Sequence, residues 1–423
     1  MNMQTKTVVV AGTLDTKGTE NAFLIEELRR FGVDTLAIDL STAGGPPFVP
    51  EIPASQVARE MGLDWNADVR GSMERPEALR TMADGAAKLI RALCAEGRAN
   101  GVVMMGGGQG TYLAGIVMRE LPIGLPKLIV STSATIPEAS ALFEGINDTM
   151  VVNSLVDVSG LNPILRMTIT RAAAAVAGMV RAGCGLDLRK KGQPRIGVSM
   201  WGVTTPCVTR IQQRLETEGC EPYVFHATGM GGQIMENLAK QGFFDGIVDV
   251  TLPEVSIPAI GGEYMKTPYR LEKAGEAGVP RVVSVGGVDM VRFGPPFNLP
   301  PIFQGRPFYM HNEELMFVRS TPKENRMVGE LIARKLNGSN GPVAVLLPRR
   351  GISAVDVSGS EMYDPAADEA LFAALRENLR PEIVVEEVDL HINDADFADR
   401  AVDLMLAQLQ IKPADGIQRG GTE

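Results

Sequence analysis

The stretch that most constrains this chain is Gly101 to Thr111, GVVMMGGGQGT. Four consecutive apolar residues, Val102 to Met105, run straight into Gly106, Gly107 and Gly108, and Gln109, Gly110 and Thr111 follow. A buried strand empties into a tight loop ahead of a helix in this way. Such a loop exposes backbone N–H groups, and at a helix N-terminus those groups and the positive end of the helix dipole favour an anion, most often phosphate. Neither familiar phosphate fingerprint is present: after Gly106 and Gly108 the dinucleotide pattern breaks at Thr111, and no Gly-Lys-Ser/Thr follows. Taken alone, the stretch suits a plain turn as well as a phosphate site.

The same grammar recurs along the chain. Strand Thr7 to Ala11 runs into GTLDTKGTE, then Leu24, Ile25, Leu28 and Phe31 mark one helix face, Gly32 ends that helix, and Val33 to Leu40 reads as the next strand. Strand, helix and parallel strand together are the building block of a doubly wound sheet. Four prolines between Gly44 and Pro53 exclude regular structure there. An amphipathic helix from Leu79 to Leu93 feeds the Gly101 stretch. Strand Leu128 to Ser131 then opens into STSAT, and a long helix runs from Leu161 to Arg181. Gly183 to Pro194, GCGLDLRKKGQP, has the composition of a linker.

These signals divide the chain into a nucleotide-binding domain at 1–185, a linker at 186–194 and a second α/β domain at 195–423. The second part restarts with strand Ile196 to Met200, loop WGVTTP and a helix with Thr205 as N-cap and Pro206 in its first turn. Strand Tyr223 to His226 meets the turn ATGMGGQ. Strands at Gly246 to Val250, Arg281 to Val285, Leu315 to Arg319, Val343 to Leu347 and Ile383 to Val388 keep the rhythm. Thr321-Pro322-Lys323-Glu324 is a capping box. A helix from Asp394 and a polar tail after Pro413 complete the reading. The glycine-rich turns at Gly106 to Gln109 and Gly229 to Gln233 echo each other. The expected fold is α/β, with two Rossmann-like parallel-sheet domains facing a shared crevice.

Composition narrows the function classes. A net charge of -10 argues against a nucleic-acid surface. The N-terminus enters a strand without the pattern of a signal peptide. The apolar helical run Ala172 to Val180 is far short of the roughly 20 residues of a membrane span, so a cytoplasmic protein with neither a membrane nor a nucleic-acid partner is expected. Cys94, Cys184, Cys207 and Cys220 lack CxxC spacing and read as free thiols, and three histidines make a His-rich zinc site unattractive.

Ligands of open α/β sheets bind outside the carboxyl ends of the strands. Asp15, Thr16, Lys17 and Gly18 lie in such a loop. Lys17 would act as a point charge on phosphate, Thr16 as a hydroxyl donor and Asp15 on a metal ion or ribose hydroxyl, unless Asp15 or Thr16 simply caps a helix. Ser131, Thr132 and Ser133 follow another strand, as ligands or as turn formers. His226 stands at a strand end as general acid/base or as a structural hydrogen bonder, just before Gly229, Gly231 and Gly232. Arg349 suits a carboxylate or phosphate clamp, and Asp356 a base or metal role. Cys207 before a helix is either a reactive thiol or an inert buried one. HExxH, GxSxG and CxxC are all absent.

GTLDTKGTE, GGGQGT, STSAT, VDVSGLNPIL, WGVTTPCV, FHATGMGGQIME, VGGVDMVRFG and LPRRGISAVDVSG, in this order, resemble the ATP-binding family typified by the tomato mosaic virus resistance protein. The resemblance covers nearly the whole chain. It implies a two-domain α/β homodimer, Rossmann-like in its first part, with ATP on the glycine-rich loops. Longer members carry a further TIM-barrel domain, which this chain is expected to lack. Gln109 stands where the family's loop usually has serine, as in GGSGGT. The leading expectation is an ATP-binding protein using ATP and Mg²⁺ on a small acidic or carbonyl metabolite, with Gly106 to Thr111 on the phosphates. The alternatives are an ATP-bound regulatory homodimer without turnover, and a lyase or hydrolase of a small acidic metabolite built on His226 and Arg349.

Overall fold

The apolar runs of the first half pair side by side as β1 (Thr7–Gly12), β2 (Asp34–Asp39), β3 (Gly101–Gly106), β4 (Lys127–Ser131) and β5 (Thr149–Asn153). All are parallel, in the order β2-β1-β3-β4-β5. The computed structural model describes residues 5–133, 148–183, 192–262, 267–295 and 297–411. Ala134 and Thr135 of STSAT, Cys184, most of the expected linker and the tail after Pro413 lie outside them. By its contacts the chain divides into two units, Met1–Asp187 and Leu188–Glu423.

In the first unit the helices are α1 (Leu14–Arg30), α2 (Ala54–Glu60), α3 (Arg75–Ala95), α4 (Gly108–Glu120) and α5 (Pro163–Ala182), with a π-helical turn at Trp65–Val69. Alternate strand residues feed two cores. Val9, Ala11, Val102 and Met104 pack with α2, α3 and α4, whereas Val8, Val10, Val103 and Met105 pack with α1 and α5. A sheet covered on both faces needs strands that are apolar throughout, and GVVMMG is buried at every residue. By length and composition α5 is, among the described residues, the one helix able to cross a membrane. It packs on the sheet through Leu165, Ile169, Ala172, Val176 and Val180.

The second unit repeats the plan. Its parallel sheet runs β7 (Glu221–His226), β6 (Arg195–Met200), β8 (Gly246–Thr251), β9 (Arg281–Gly286), β13 (Val343–Pro348) and β14 (Val384–Val388). The first five positions carry the permutation of the first unit, so both halves are doubly wound and Rossmann-like. Its helices are α6 (Thr205–Thr217), α7 (Met230–Lys240), α8 (Pro253–Ile260), α9 (Lys273–Glu276), α10 (Pro322–Asn337), α11 (Pro365–Asn378) and α12 (Ala395–Gln408).

Several details depart from the sequence reading. Leu315–Arg319 (β12) leaves the parallel sheet and forms a small antiparallel one with β10 (Met290–Phe293) and β11 (Phe308–Asn312). Thr204, rather than Thr205, is the N-cap of α6, because a 3-10 turn at Gly202–Thr204 precedes it. Asp15, Thr16 and Lys17 belong to the first turn of α1, which is kinked at Lys17, and not to a loop. The Thr321–Glu324 capping box is present in full.

The permutation also reorders the glycine echo. Gly106 ends the third strand of its sheet, but the Gly229 turn follows the second strand of the other. The positional counterpart of the Gly106 turn is Thr251 to Glu254, and that of the Gly229 turn is the segment after β2.

Candidate functional site

In both sheets the strand order reverses between the first and third strands, the switch point at whose carboxyl ends such folds have their crevice. The first unit brings Gly12 to Gly18, Gly106 to Thr111 and Ser131 to Ser133 to this edge. The register aligns them: Asp39 pairs with Gly12, Met104 with Ala11, and Gly106 with Ser131.

Two helices start at the crevice, and their ends differ. At α1 the first-turn N–H groups are taken. Leu14 N donates to Asp39 Oδ1 (3.3 Å), Asp15 N to Ser41 Oγ (2.9 Å), and Thr16 and Lys17 N to Thr13 O (3.2 and 2.9 Å). The side chains are committed as well. Lys17 Nζ donates to Val158 O, Asp15 Oδ2 accepts from Gly44 N (3.0 Å), and Thr16 pairs with Thr13 Oγ1 (3.0 Å). A Cβ at Gly18 would overlap Pro47. Glu20 accepts from Gly160 N (2.7 Å). DTKGTE is therefore the clasp that seats the proline loop at 44–53 and the VDVSGLNPIL segment on α1.

Among the described residues no side chain caps the N-terminus of α4, and no acceptor meets the N–H groups of Gly108, Gln109 and Gly110. The glycines differ in purpose. A Cβ at Gly106 would press on Gly110 Cα at 2.8 Å, so that pair lets β3 turn tightly into α4, whereas at Gly108 a Cβ would meet nothing within 4 Å. Hydroxyls line the same edge. Thr111 Oγ1 lies 2.6 Å from Ser131 Oγ and accepts from Ser133 Oγ at 3.2 Å, and Thr132 Oγ1 is 3.6 Å from the position a Cβ on Gly107 would take. Gln109 accepts from Arg75 (2.8 Å). Thr111 and Ser131 are buried and Thr111 Oγ1 donates to Gly107 O (2.8 Å), so those two brace the turn, and what an anion can meet is the free helix end, its dipole and the partly exposed Thr132 and Ser133.

Asp39, which the sequence reading passed over, ends β2 at this edge and is 2% exposed. Burial holds its carboxyl above the ordinary carboxylate range, against the hydrogen bonds from Ser41 and Leu14 that favour its charge. An acid at the end of the second strand is the ribose-binding signal of nucleotide folds, and the pattern was there to be read.

The second unit treats its glycine turn otherwise. Glu254 Oε1 accepts from Gly229 N (2.7 Å) and Gly232 N (3.1 Å), so a carboxylate of the chain itself fills the N-terminus of α7. A Cβ at Gly232 would overlap Glu254 Oε2, and one at Gly231 would overlap His226 O. Glu254 is in turn paired with Arg270 (2.7 Å), whose guanidinium grips both oxygens of Asp249 at 2.6 Å. All three are buried. Gly229, Gly231 and Gly232, expected on a cofactor, thus have structural duties in this turn. A cavity of about 470 Å³ opens beside Glu254 and Arg270, with Val255, Pro258, Ala259, Pro268 and Leu331 as its apolar lining and Thr267 and Lys335 as its other polar residues.

The residues proposed for catalysis do not converge. His226 is exposed at the end of edge strand β7, and Arg349 is exposed just after β13. Their strands stand four places apart, roughly 19 Å at the usual strand spacing, too far to share one small substrate. Asp356 is fully buried: it accepts from Ile352 N (2.9 Å) and faces Arg319 (3.6 Å) in a cluster with Asp289 and Asp368. Cys207 is buried, and burial pushes its thiol far up, which makes it the inert alternative. Among the described residues no group of three His, Cys, Asp or Glu is placed to hold a metal.

The chain matches the Uncharacterised protein family (UPF0261) N-terminal domain over residues 6–184 and its C-terminal domain over residues 193–409. It is 36% identical to a UPF0261 protein of Clostridium tetani over 93% of this chain and 96% of that one. Against a UPF0261 protein of Rhizobium meliloti the identity is 38%, over 94% and 98%. It is also 36% identical to the ToMV resistance protein Tm-1(GCR237) of Solanum lycopersicum, over 94% of this chain but only 55% of the tomato protein. Among solved structures, a UDP-GlcNAc 2-epimerase of Methanocaldococcus jannaschii aligns over 95% and 93% of the two chains at 10% identity, with a TM-score of 0.23, too low to carry an argument. Two domain matches in order and full-length relatives above 30% identity settle one point: the chain belongs to the UPF0261 family.

Proposed function

We propose that the first unit binds the phosphates of a nucleotide, ATP, on the N-terminus of α4. The observation that carries this reading is the uncapped first turn of α4 at the switch point of a doubly wound sheet, with Gly108 open and the partly exposed Thr132 and Ser133 nearby. Mg²⁺ would travel with the phosphates. Among the described residues Asp15 Oδ1 is buried and has no hydrogen-bond partner, and it is the carboxylate oxygen of α1 that would turn to that ion or to its water. ATP turnover on a small acidic or carbonyl metabolite remains the enzymatic form of this proposal. The lyase or hydrolase alternative would need His226 and Arg349 on one small substrate, and their strands stand four places apart.

The test is calorimetric titration with inorganic tripolyphosphate and ATP, with Mg²⁺, on the native chain and on Gly107→Asp. Gly107 has the extended backbone of an N-cap (φ -78°, ψ -154°), so an aspartate there caps α4 and competes for its N–H groups. Both ligands should bind the native protein, and both should weaken at least about tenfold in the variant. Absence of binding to the native chain at millimolar ligand would overturn the proposal.

One observation favours the regulatory homodimer as a second reading. Edge strand β11 exposes Phe308 (52%), Tyr309 (39%) and Met310 (43%), and an exposed apolar edge invites pairing with another strand. Light scattering of the native chain and of Tyr309→Lys checks it: a dimer that the variant dissociates supports pairing through β11, and a monomeric native chain refutes it.

A further inference from the structure

Beside Asp39 lies a cavity of about 350 Å³ lined by Asp39, Pro46, Pro47, Phe48, Val49, Pro50 and Pro53. That volume falls within the range of small-molecule sites, at the end suited to a single nucleoside. Three protein donors reach Asp39, from Leu14 N, Ser41 N and Ser41 Oγ, and all three go to Oδ1. Among the described residues Oδ2 receives none, although the residue is only 2% exposed. A carboxylate held by one oxygen, with the other left unpartnered beside a cavity, is a ready acceptor for ligand hydroxyls.

The walls are preformed. Proline rings fix the backbone of the loop, Gly44 N is tied to Asp15 (3.0 Å), Pro47 seats on Gly18, and Trp65 Nε1 donates to Ser41 O (2.8 Å). Phe48 is half-buried: it packs on the core of the first unit and also lines the cavity. An aromatic ring and flat proline faces suit the face of a planar base. Asp39 is level with Gly12, and two strand spacings, roughly 10 Å, separate β2 from β3. A nucleotide spans such a gap between its outer phosphates and its ribose.

We propose that this cavity takes the nucleoside end of the nucleotide whose phosphates lie on α4, with Asp39 Oδ2 accepting from the ribose hydroxyls and Phe48 and the prolines flanking the base. The phosphate half of the assignment rests on the function proposed above; the nucleoside half stands on the cavity.

Calorimetry with adenosine, inorganic tripolyphosphate and ATP, on the native chain, Asp39→Asn and Phe48→Leu, tests it. Asparagine keeps an accepting oxygen for Leu14 and Ser41 and replaces only Oδ2 by a donor. Adenosine should bind the native chain, and ATP should bind at least about tenfold tighter than tripolyphosphate, the increment expected of hydrogen bonds to a charged acceptor. Asp39→Asn should erase that advantage and weaken adenosine by a similar factor while leaving tripolyphosphate unchanged. Phe48→Leu, which keeps the apolar packing, should weaken adenosine and ATP several-fold and tripolyphosphate not at all, and it decides the matter if Asp39→Asn shifts the thermal unfolding. The proposal is overturned if adenosine fails to bind and ATP is no tighter than tripolyphosphate, or if folded variants keep the ATP advantage. Adenosine binding without tripolyphosphate binding would remove the phosphate site and leave the nucleoside cavity standing.

Discussion

Two helices of this chain begin at glycine-rich turns, and one end is closed where the other is open. At α7 the carboxylate of Glu254 occupies the N–H groups of Gly229 and Gly232. At α4 no side chain among the described residues does so. Both turns satisfy the same local chemistry, because a helix N-terminus with several unpaired N–H groups attracts negative charge whatever its source. The source is decided elsewhere, at Glu254, which arrives from the far end of the next strand.

The strongest way to break the comparison is to remove the internal anion. Glu254→Ala leaves two N–H groups unpaired and Arg270 short of one partner in a fully buried network. Removing one member of such a network costs about 3–5 kcal/mol. Denaturant unfolding followed by Trp201, in a Trp65→Phe background, reads the second unit, since these are the two tryptophans and one lies in each unit. Gly232→Ala should approach the same loss through overlap with Glu254, whereas Gly108→Ala should leave stability unchanged or slightly raised, having only open space to meet and a helix to favour. Equal losses at Gly232 and Gly108 would remove the distinction between a closed turn and an open one.

The second unit also buries three carboxyl groups around one guanidinium. Asp289, Asp356 and Asp368 surround Arg319, with Ser353 Oγ donating to Asp289 (2.7 Å). Burial, then the charge of Asp356, pushes Asp368 up to about 9, and burial pushes Asp289 to about 6. Both values lie above the ordinary 3.8, so the folded state holds protons that the unfolded chain releases. That contribution is complete below the ordinary value and is lost as pH rises through about 6 and then about 9. The denaturation midpoint reported by Trp201 should therefore fall between pH 6 and pH 9. Asp368→Asn, which keeps an acceptor for Arg319 and needs no proton, should flatten the fall, and an unchanged slope would assign it to other groups.

Much of the architecture was legible because its signal is local. Strands buried on both faces must be apolar throughout, as GVVMMG is, and Thr321 with Glu324 announces a helix start within four residues. Partnership was not legible. Strand β12 looks like any apolar strand, and only its pairing with β10 and β11 separates it from the parallel sheet. The site follows the same division. Gly106 to Thr111 stood out, while the role of Lys17 was hidden because its acceptor, Val158 O, lies 141 residues away. Asp39 was missed although its place at a strand end was readable. Nothing in the sequence near Gly229 indicates that Glu254 completes that turn.

Closing the open end tests the comparison from the other side. Gly107→Asp should stabilise the first unit by about 1 kcal/mol, as an N-cap acid does, while weakening tripolyphosphate at least about tenfold. Stability and affinity then move in opposite directions, which general damage to the fold would not produce. A variant that loses both would indicate distortion of β3 and α4 instead of capping.

The smallest expected effect concerns Lys17, the residue whose charge most invites a phosphate role. Its ammonium donates to Val158 O, within the clasp between α1 and the segment before α5. Lys17→Met keeps the apolar stem and removes one charge-assisted hydrogen bond in a partly buried place, at a cost of about 1 kcal/mol in stability. Affinity for tripolyphosphate should stay within about twofold of the native chain, because the amine is tied to a carbonyl while the N–H groups of α4 remain intact. A loss near tenfold with unchanged stability would return Lys17 to the phosphates. The anion site would then span both helices at the crevice, and the contrast between α1 and α4 would narrow to their backbone N–H groups.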